Sequence, residues 1–563
     1  MQMYGLALDL GTSGFRVQAI DLEKDVVQAT AITVRHPLPG ANVMDHLHFC
    51  LENGTDLAQE LMVETVNKLF DALNIDLSKV VRLAICGNPI QLSIFQNIEV
   101  RDLAFAGERA KELRGIVPPN RDAKIIKASD IKGLKLNPDV DVCVPPAVKH
   151  EIGADALAMM VKSKMLERDE IALVTDYGTN AEMALKVGDR IYTGSAAAGP
   201  AIEGQFIKFG MLASPGAISD VEEEDGDWRC YVLDEEMNPK EGDLVDPTTG
   251  DAWEEGEMHE KAKGITGTGV VAATAVALGK ENLPATSPTG SAIPIQGSKG
   301  LYVPPKIKTD DGYIHLQDGI YLTEKDLQEA GKAFGAMRAG HFTLLEHAGI
   351  KFEDLDAMYM CGASGTYVDA KKAQAVGMVP ATPKKIYQIG NTSLAMAGDI
   401  VRNPALLDEL QELANQMRAE HIMFATDKVF ETIYMQELAY WTEGMPMQMY
   451  NQMIQRAGIQ PLPSRIENSE VHRIVVRDIP DLGVQGLSVI RDIGVILEGE
   501  FEGCIKCRKC EKECPEDALS IVEEDDRFLI RIKSELCNGT ACKRCERICP
   551  EKVFKFDELR MVH

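Results

Sequence analysis

The chain has no apolar run of the roughly 18 residues that a membrane-spanning helix requires. Its first residues, MQMYGLALDLGTSG, lack a basic stretch and carry an acid within the apolar one, so no secretory signal is expected. Together these absences point to the cytoplasm and to no membrane partner. Basic charge is also in short supply: 59 Lys and Arg stand against 87 Asp and Glu, a formal charge of −28. So acidic a chain repels a nucleic-acid backbone, which removes nucleic acid from the partners. Small phosphate ligands stay open, because backbone amides can hold them locally. Nor does a single core suffice for 563 residues, and two to four domains are expected. Much of the acid gathers between about 220 and 260, in SDVEEEDGDWRCYVLDEEMNPKEGDLVDPTTGDAWEEGEMHE, which reads as a solvated insertion or, less simply, a docking surface for a basic partner.

Cysteine is sparse until the tail. Cys50, Cys86, Cys143, Cys230 and Cys361 are scattered and read as buried small hydrophobes. The other eight of the 13 lie in CIKCRKCEKECP and CNGTACKRCERICP. Cys504, Cys507, Cys510 and Cys514, with Pro515 after them, form the bacterial ferredoxin run. Cys537, Cys542, Cys545 and Cys549, with Pro550, repeat it with a first gap stretched by two residues. In a two-cluster ferredoxin the fourth cysteine of each run serves the other cluster. One [4Fe–4S] cluster is thus expected on Cys504, Cys507, Cys510 and Cys549, the other on Cys537, Cys542, Cys545 and Cys514. Disulfides fit a reducing compartment poorly, and zinc usually takes cysteine pairs with a longer spacer. Clusters with a purely structural role remain an alternative.

Near the start stands YGLALDLGTSGFRVQAIDL, and about 165 residues on comes IALVTDYGTNAEMALKVGDRIYTG. Aligned on the acid, Asp9-Leu10-Gly11-Thr12-Ser13 is echoed by Asp176-Tyr177-Gly178-Thr179-Asn180. Each copy is an apolar strand, a glycine turn and a second alternating strand. Glycine lets backbone amides approach phosphate oxygens, the hydroxyl adds a donor, and the strand-end acid can hold Mg²⁺ through water. One copy alone would be an ordinary hairpin; two at domain spacing suggest related halves. Strands are expected around 4–9, 14–21 and 28–35. A helix follows in TDLAQELMVETVNKLFDAL, where Met62, Val66, Leu69 and Phe70 recur at helical spacing, and VVRLAICGNP returns as a strand. A third element, LDAMYMCGASGTYVDAKKAQAVG, runs from a strand into Gly362, Ala363, Ser364 and Gly365, with a helix expected from about Val368. That turn could admit a base or ribose, or merely join strand to helix.

Over roughly residues 1–455 these three elements resemble the superfamily of actin, heat-shock chaperones and sugar kinases. The resemblance implies ATP between two halves, phosphate contacts from Asp9, Gly11, Thr12 and Ser13 and from Asp176, Gly178, Thr179 and Asn180, and adenosine at Gly362–Gly365. HEIGADALAMMV occupies the place of the superfamily's connecting helix, which makes Asp155 a candidate for positioning Mg²⁺ or the attacking water; a helix cap is the plainer reading. The expected fold is α/β: two ribonuclease-H-like halves of an actin-like ATPase, followed by a C-terminal α+β bacterial-type ferredoxin domain. The halves are placed at 1–165 and 166–455, a connector at 456–494 and the ferredoxin domain at 495–563.

SAAAGPAIEGQFIKFGMLASPGAI, GITGTGVVAA, LTEKDLQEAGKAFGAMRAG and IGNTSLAMAGDI, together with the cysteine tail, resemble the reductive activators of corrinoid proteins, in particular those of the methylamine methyltransferases of methanogenic archaea. Singly, these segments also suit close packing and turns, and the Met-rich AYWTEGMPMQMYNQMIQ suits core better than a partner groove. The resemblance implies ATP-dependent reduction of Co(II) to Co(I) in those corrinoid proteins, with electrons from a low-potential donor passing through the clusters. A coupling of roughly 5 kcal/mol would offset roughly 200 mV of uphill one-electron transfer. Two rivals stay open: a small-molecule kinase with an appended ferredoxin, and a nucleotide-switched redox adaptor. Whether the chain forms a homodimer is not legible.

Overall fold

In the computed structural model, the residues described are 2–562 except 41, 106–107, 149–151, 179, 197–205, 212, 236, 279–292, 295–301, 304–312, 418–419, 464–467, 492, 515, 525–526 and 538. Thr179, Pro515 and most of GSAAAGPAIEG therefore lie outside the description. The chain forms two units: Met1–Ala158 with Ser393–Asn415 and Asp481–His563, and Met159–Thr392 with Gln416–Pro480.

The first unit is built on β1 (Tyr4–Leu10), β2 (Phe15–Asp21), β3 (Val26–Thr33), β4 (Val80–Gly87), β5 (Lys124–Lys127) and β6 (Asp141–Val144). β1 is buried at all seven positions, as an interior strand covered on both faces must be. It pairs antiparallel with β2 and parallel with β4, and the sheet continues to β6 and β5. The expected helix spans Thr55–Ala72, with Met62, Val66, Leu69 and Phe70 all buried.

In the second unit β7 (Ala172–Tyr177), β8 (Ala181–Val187) and β9 (Arg190–Ala196) repeat the antiparallel meander. Strand Ala357–Cys361 pairs parallel with β7, as β4 does with β1, and Lys385–Gly390 follows beyond it as β6 follows β4. The echo read from two short motifs is thus an echo of strand order.

The segment 456–494 does more than connect. Glu470–Arg473 adds an edge strand to the second sheet, and Leu487–Ile490 adds one to the first beside β3. Both are short and largely exposed, so they lack the apolar alternation that announces a strand. Residues Ser393–Asn415 pack with the first unit, where Arg82 Nη1 donates to the Val401 carbonyl (2.6 Å).

The acidic insertion is solvated on its outside but folded beneath. Residues 217–265 form a five-stranded sheet whose inner face buries Val221, Trp228, Cys230 and Val232. Most of its acids stay at the surface, where exposed Glu224 and Glu254 pair with buried Arg229 at 3.3 Å, but Asp243 is buried, accepts from Gly256 N and holds His259 Nδ1. Two glycines of GITGTG serve packing, since a Cβ at Gly264 would meet the Phe209 carbonyl at 2.5 Å and one at Gly269 the Ile218 carbonyl at 2.4 Å. In the Met-rich stretch Met447, Tyr450 and Ile454 are buried core, while Met449 and Met453 are exposed.

The tail folds from about residue 495 as a four-stranded antiparallel sheet of Ile496–Glu500, Leu519–Glu524, Arg527–Lys533 and Arg560–Val562. Leu497, Phe501, Phe528, Phe554 and Phe556 form its own core.

Candidate nucleotide turns and cysteine cavities

The β1–β2 hairpin sets Asp9 opposite Arg16 and leaves Gly11–Gly14 as its turn. Gly11 has no room for a side chain, because a Cβ there would lie 2.7 Å from the Gly14 carbonyl. Asp9 is buried, with Arg16 Nη1 3.6 Å from its carboxylate. β4 ends in parallel alongside, pairing Asp9 with Cys86 and Leu10 with Gly87. The next residue, Asn88, caps the helix Pro89–Phe95 by accepting from the Ile90 and Gln91 amides, and its Nδ2 donates to Thr12 Oγ1 at 3.1 Å. Asn88 was not among the sequence candidates. Its Asn-Pro start is a recognisable cap signal, but nothing local shows that the cap also holds the turn hydroxyl.

Asp155 joins this group. It lies in the first turn of the helix Ala154–Ser163, one residue inside it, and its Oδ1 accepts from the Ala156 amide at 2.9 Å. Burial pushes its pKa up to about 6; the Ala156 amide opposes this and the Asp9 carboxylate adds to it. The side chain keeps partial solvent contact, so it lines a recess rather than a sealed core. Cys86 feels both carboxylates as well: burial first, then Asp9 and Asp155, hold its thiol well above the usual range. Two carboxylates that repel across one recess form a donor set suited to a divalent cation.

In the second unit Asp176 and Gly178 occupy the matching places. Asp176 pairs in register with Glu182 on one side and Cys361 on the other, and Gly178 N–H donates to the Asn180 carbonyl at 3.1 Å. The third element differs from expectation: the helix starts at Gly362 itself, runs to Tyr367, and a second helix spans Ala370–Val376 under an Asp369 cap. Gly362 has φ +80°, and a Cβ there would lie 2.3 Å from Asp176 Oδ1, so this glycine stands directly against the carboxylate. Gln388, another residue missed from sequence, donates through Nε2 to the carbonyls of Gly365, Thr366 and Val368 and ties off the short helix. Asp176, Gly178, Asn180, Gly362, Ala363, Ser364 and Gly365 thus gather at the carboxyl ends of β7 and its parallel neighbour, where open α/β sheets bind ligands. Gly390, at φ +98°, makes a turn in which Asn391 N–H donates to Asp478 O.

The tail cysteines line two separate cavities. Cys504, Cys507, Cys510 and Cys549 line one. Cys514, Cys537, Cys542 and Cys545 line the other. The fourth cysteine of each run has crossed to the other group, as the spacing predicts. Four thiols lining a shared void suit a polyatomic cluster. Burial pushes Cys510 up to about 11 and Cys537 and Cys545 up to about 12, so these thiols ionise only against a bound metal. Burial also raises Cys549, but the amides of Phe554, Val553, Glu551 and Lys552 outweigh it and hold the thiol below its usual value.

The second cavity is seated on the first unit's own sheet domain. Gly40 N–H donates to the Cys537 carbonyl (2.8 Å), and buried Ser534 Oγ donates to the Pro37 carbonyl (2.9 Å). Lys543 Nζ lies 3.6 Å from Glu52.

Known proteins match along most of the length. A family described as the RACo middle region matches residues 4–168, one described as the C-terminal ASKHA domain of RACo matches 170–451, and a 4Fe-4S dicluster domain matches 503–556. A "[Co(II) methylated amine-specific corrinoid protein] reductase" from Methanosarcina barkeri is 51% identical over 539 residues, 96% of each chain. The corrinoid activation enzyme RamQ of Eubacterium limosum is 26% identical over 454 residues, 77% of this chain and 70% of that one. A solved reductive activator for a corrinoid, iron–sulfur protein shares the fold at TM-score 0.58 and 22% identity, over 78% of this chain and 66% of that one.

Proposed function

The chain belongs to the reductive activators of corrinoid proteins, and from that premise we propose that it uses ATP to return the corrinoid proteins of methylamine methyltransferases from Co(II) to Co(I). It is an ATP-dependent oxidoreductase with an actin-like ATPase and a ferredoxin domain. One observation carries the reading: strand-end carboxylate turns and two four-cysteine cavities occur in a single chain.

Asp9, Gly11, Thr12 and Ser13 would hold phosphate in the first unit, with Asn88 fixing the Thr12 hydroxyl. Asp176, Gly178, Thr179 and Asn180 would do so in the second, and Gly362, Ala363, Ser364 and Gly365 would meet the adenosine. Asp9 and Asp155 would hold Mg²⁺, which relieves their mutual repulsion and neutralises phosphate charge. The four cysteines of each cavity would bind one [4Fe–4S] cluster, two in all, and these supply low-potential one-electron chemistry. The protein's part is to keep the thiolates in place and limit water around them. A low-potential electron donor and a cytoplasmic setting complete the proposal.

The test is the anaerobic visible spectrum of a Co(II) corrinoid protein mixed with this protein and a reductant. With ATP the Co(I) band should grow; without it, growth should be slower by about tenfold or more, the factor that about 1.4 kcal/mol of coupling produces. Asp176→Ala should abolish the ATP effect while both clusters stay visible by electron paramagnetic resonance. Equal rates with and without ATP would refute the reading.

A further inference from the structure

The two cysteine cavities differ in what surrounds them, and the difference assigns a partner to one. The cations of the second run all have partners. Lys543 faces Glu52 (3.6 Å), Arg544 faces Glu513 (3.4 Å), and Arg547 Nη2 donates to the Cys542 carbonyl. That side also carries the Gly40 and Ser534 hydrogen bonds, so the second cavity sits against the protein's own chain.

The first cavity faces water. Cys507 is exposed and Ile505 is 57% exposed, and both line the void. Around them Lys506, Lys509 and Lys512 are exposed, and Lys552 is exposed on the turn that follows Cys549. None of these four lysines forms an ion pair among the described residues; Lys506 lies 5.1 Å over the Phe528 ring and is an exposed residue. The acids of the same stretches are partly spent: Glu511 pairs with Arg508 (3.2 Å) and accepts from Ile521 N–H, and Glu513 pairs with Arg544. Glu502 and Glu551 stay exposed, so the lysines keep the majority. In a chain of formal charge −28, a small apolar spot at the open edge of a redox cavity, with four exposed lysines close to its lining residues in sequence and none of them in an ion pair among the described residues, is out of character with the rest.

We propose that this edge is the docking surface for an acidic one-electron carrier protein, which Lys506, Lys509, Lys512 and Lys552 attract and Ile505 and Cys507 contact. The assignment rests on the cluster reading given above and adds to it which of the two centres receives electrons. In each encounter the reduced carrier is oxidised by one electron and the cluster held by Cys504, Cys507, Cys510 and Cys549 is reduced by one; no bond or proton is exchanged. A small apolar contact with a charged rim gives fast, brief association, which suits a carrier that must leave after each transfer. The acidic remainder of the chain repels the same carrier, which directs it to this one face.

The experiment mixes the full-length, cluster-loaded protein with a dithionite-reduced, desalted acidic bacterial ferredoxin in a stopped-flow instrument, without ATP or corrinoid protein. The second-order rate should fall steeply between 50 and 500 mM salt, concentrations chosen to span weak to strong screening. The variant K506E/K509E/K512E/K552E should be slower by about tenfold or more at low salt, and its rate should rise with salt. Reduced methyl viologen, a cation, should reduce that variant no more slowly than the wild type. Iron content and the paramagnetic resonance spectrum, recorded on the same samples, should match. An unchanged rate in this variant, a wild-type rate indifferent to salt, or the same loss on reversing Lys543, Arg544 and Arg547 would overturn the assignment. Absence of iron from the wild type would instead defeat the cluster reading beneath it.

Discussion

Asp155 shows how one position takes its chemistry from its neighbours. Its carboxyl titrates near 6 because burial and Asp9 both disfavour the charge. The same group in an unfolded chain titrates near 3.9. Between about pH 4 and 6 the native state therefore keeps a proton that the unfolded state has released, and stability falls as pH rises through that window. Asp155→Asn lacks this slope, so in EDTA it should melt higher than the wild type at pH 7.5 and level with it at pH 4. Buried His36, which burial pulls down to about 3, slopes the opposite way, but it is common to both proteins and cancels in the comparison. Activity should move against stability. With Mg²⁺ and ATP the variant should hydrolyse at least about a hundredfold more slowly. A variant that melts like the wild type at both pH values, or hydrolyses ATP normally, would remove Asp155 from the site.

At the scale of elements, the second unit depends on a helix pair. Glu324–Ala348 carries Gly331 and Gly335 one turn apart, and a Cβ at either would lie 2.6 Å from Trp441 or Glu437 of the helix Lys428–Glu443. The notch brings Arg338 and Glu437 together as a buried fork, 2.7 and 2.6 Å, with the Tyr450 hydroxyl donating to the same carboxylate at 2.5 Å. Arg338→Met leaves Glu437 charged and unpaired, at a cost of about 3–5 kcal/mol. Urea unfolding followed by tryptophan fluorescence should show that loss, and Arg338→Met with Glu437→Leu should recover most of it. Equal losses in the single and double variants would show that packing, not the charge pair, is what the site needs. The segment LTEKDLQEAGKAFGAMRAG, which helped mark the family, is therefore a packing surface in this fold.

At the scale of the molecule, the first phosphate turn and the second cysteine cavity share one contiguous framework. Phe15, just past the turn, donates its amide to Thr33 Oγ1 (2.8 Å) and packs edge-on against His36 (4.9 Å). Pro37 and Gly40 follow, and they hold Ser534 and Cys537. Ser534 also accepts from the Val495 amide at 3.0 Å. Ser534→Ala orphans both backbone partners, a loss of about 1–3 kcal/mol, and hydrogen exchange should quicken at the amides of Val495, Leu38 and Gly40. Unchanged exchange there would mean the seat does not depend on this hydroxyl. The two cavities should separate chemically: Cys510→Ala and Cys545→Ala should each lose about half the iron, with different paramagnetic signals surviving. Loss of all iron in both would mean the tail cannot fold around one cluster alone.

The sequence by itself determined the cysteine grouping, the paired hairpins and the identity of the strand-end acids, because each is encoded within a dozen residues by spacing and turn chemistry. It also carried the family, through several such segments at once. Tertiary structure alone decided the rest. Asn88 reaches Thr12 across 76 positions, Asp9 meets Asp155, and Gly362 stands against Asp176; none of these has a local signature. The edge strands Glu470–Arg473 and Leu487–Ile490 were illegible for the same reason, since an edge half in water needs no apolar pattern. The acidic stretch between 220 and 260 was legible only in part, because charge counts report composition and not which face is buried; its exposed acids cover a sheet that encloses Trp228 and Cys230 on its central strand.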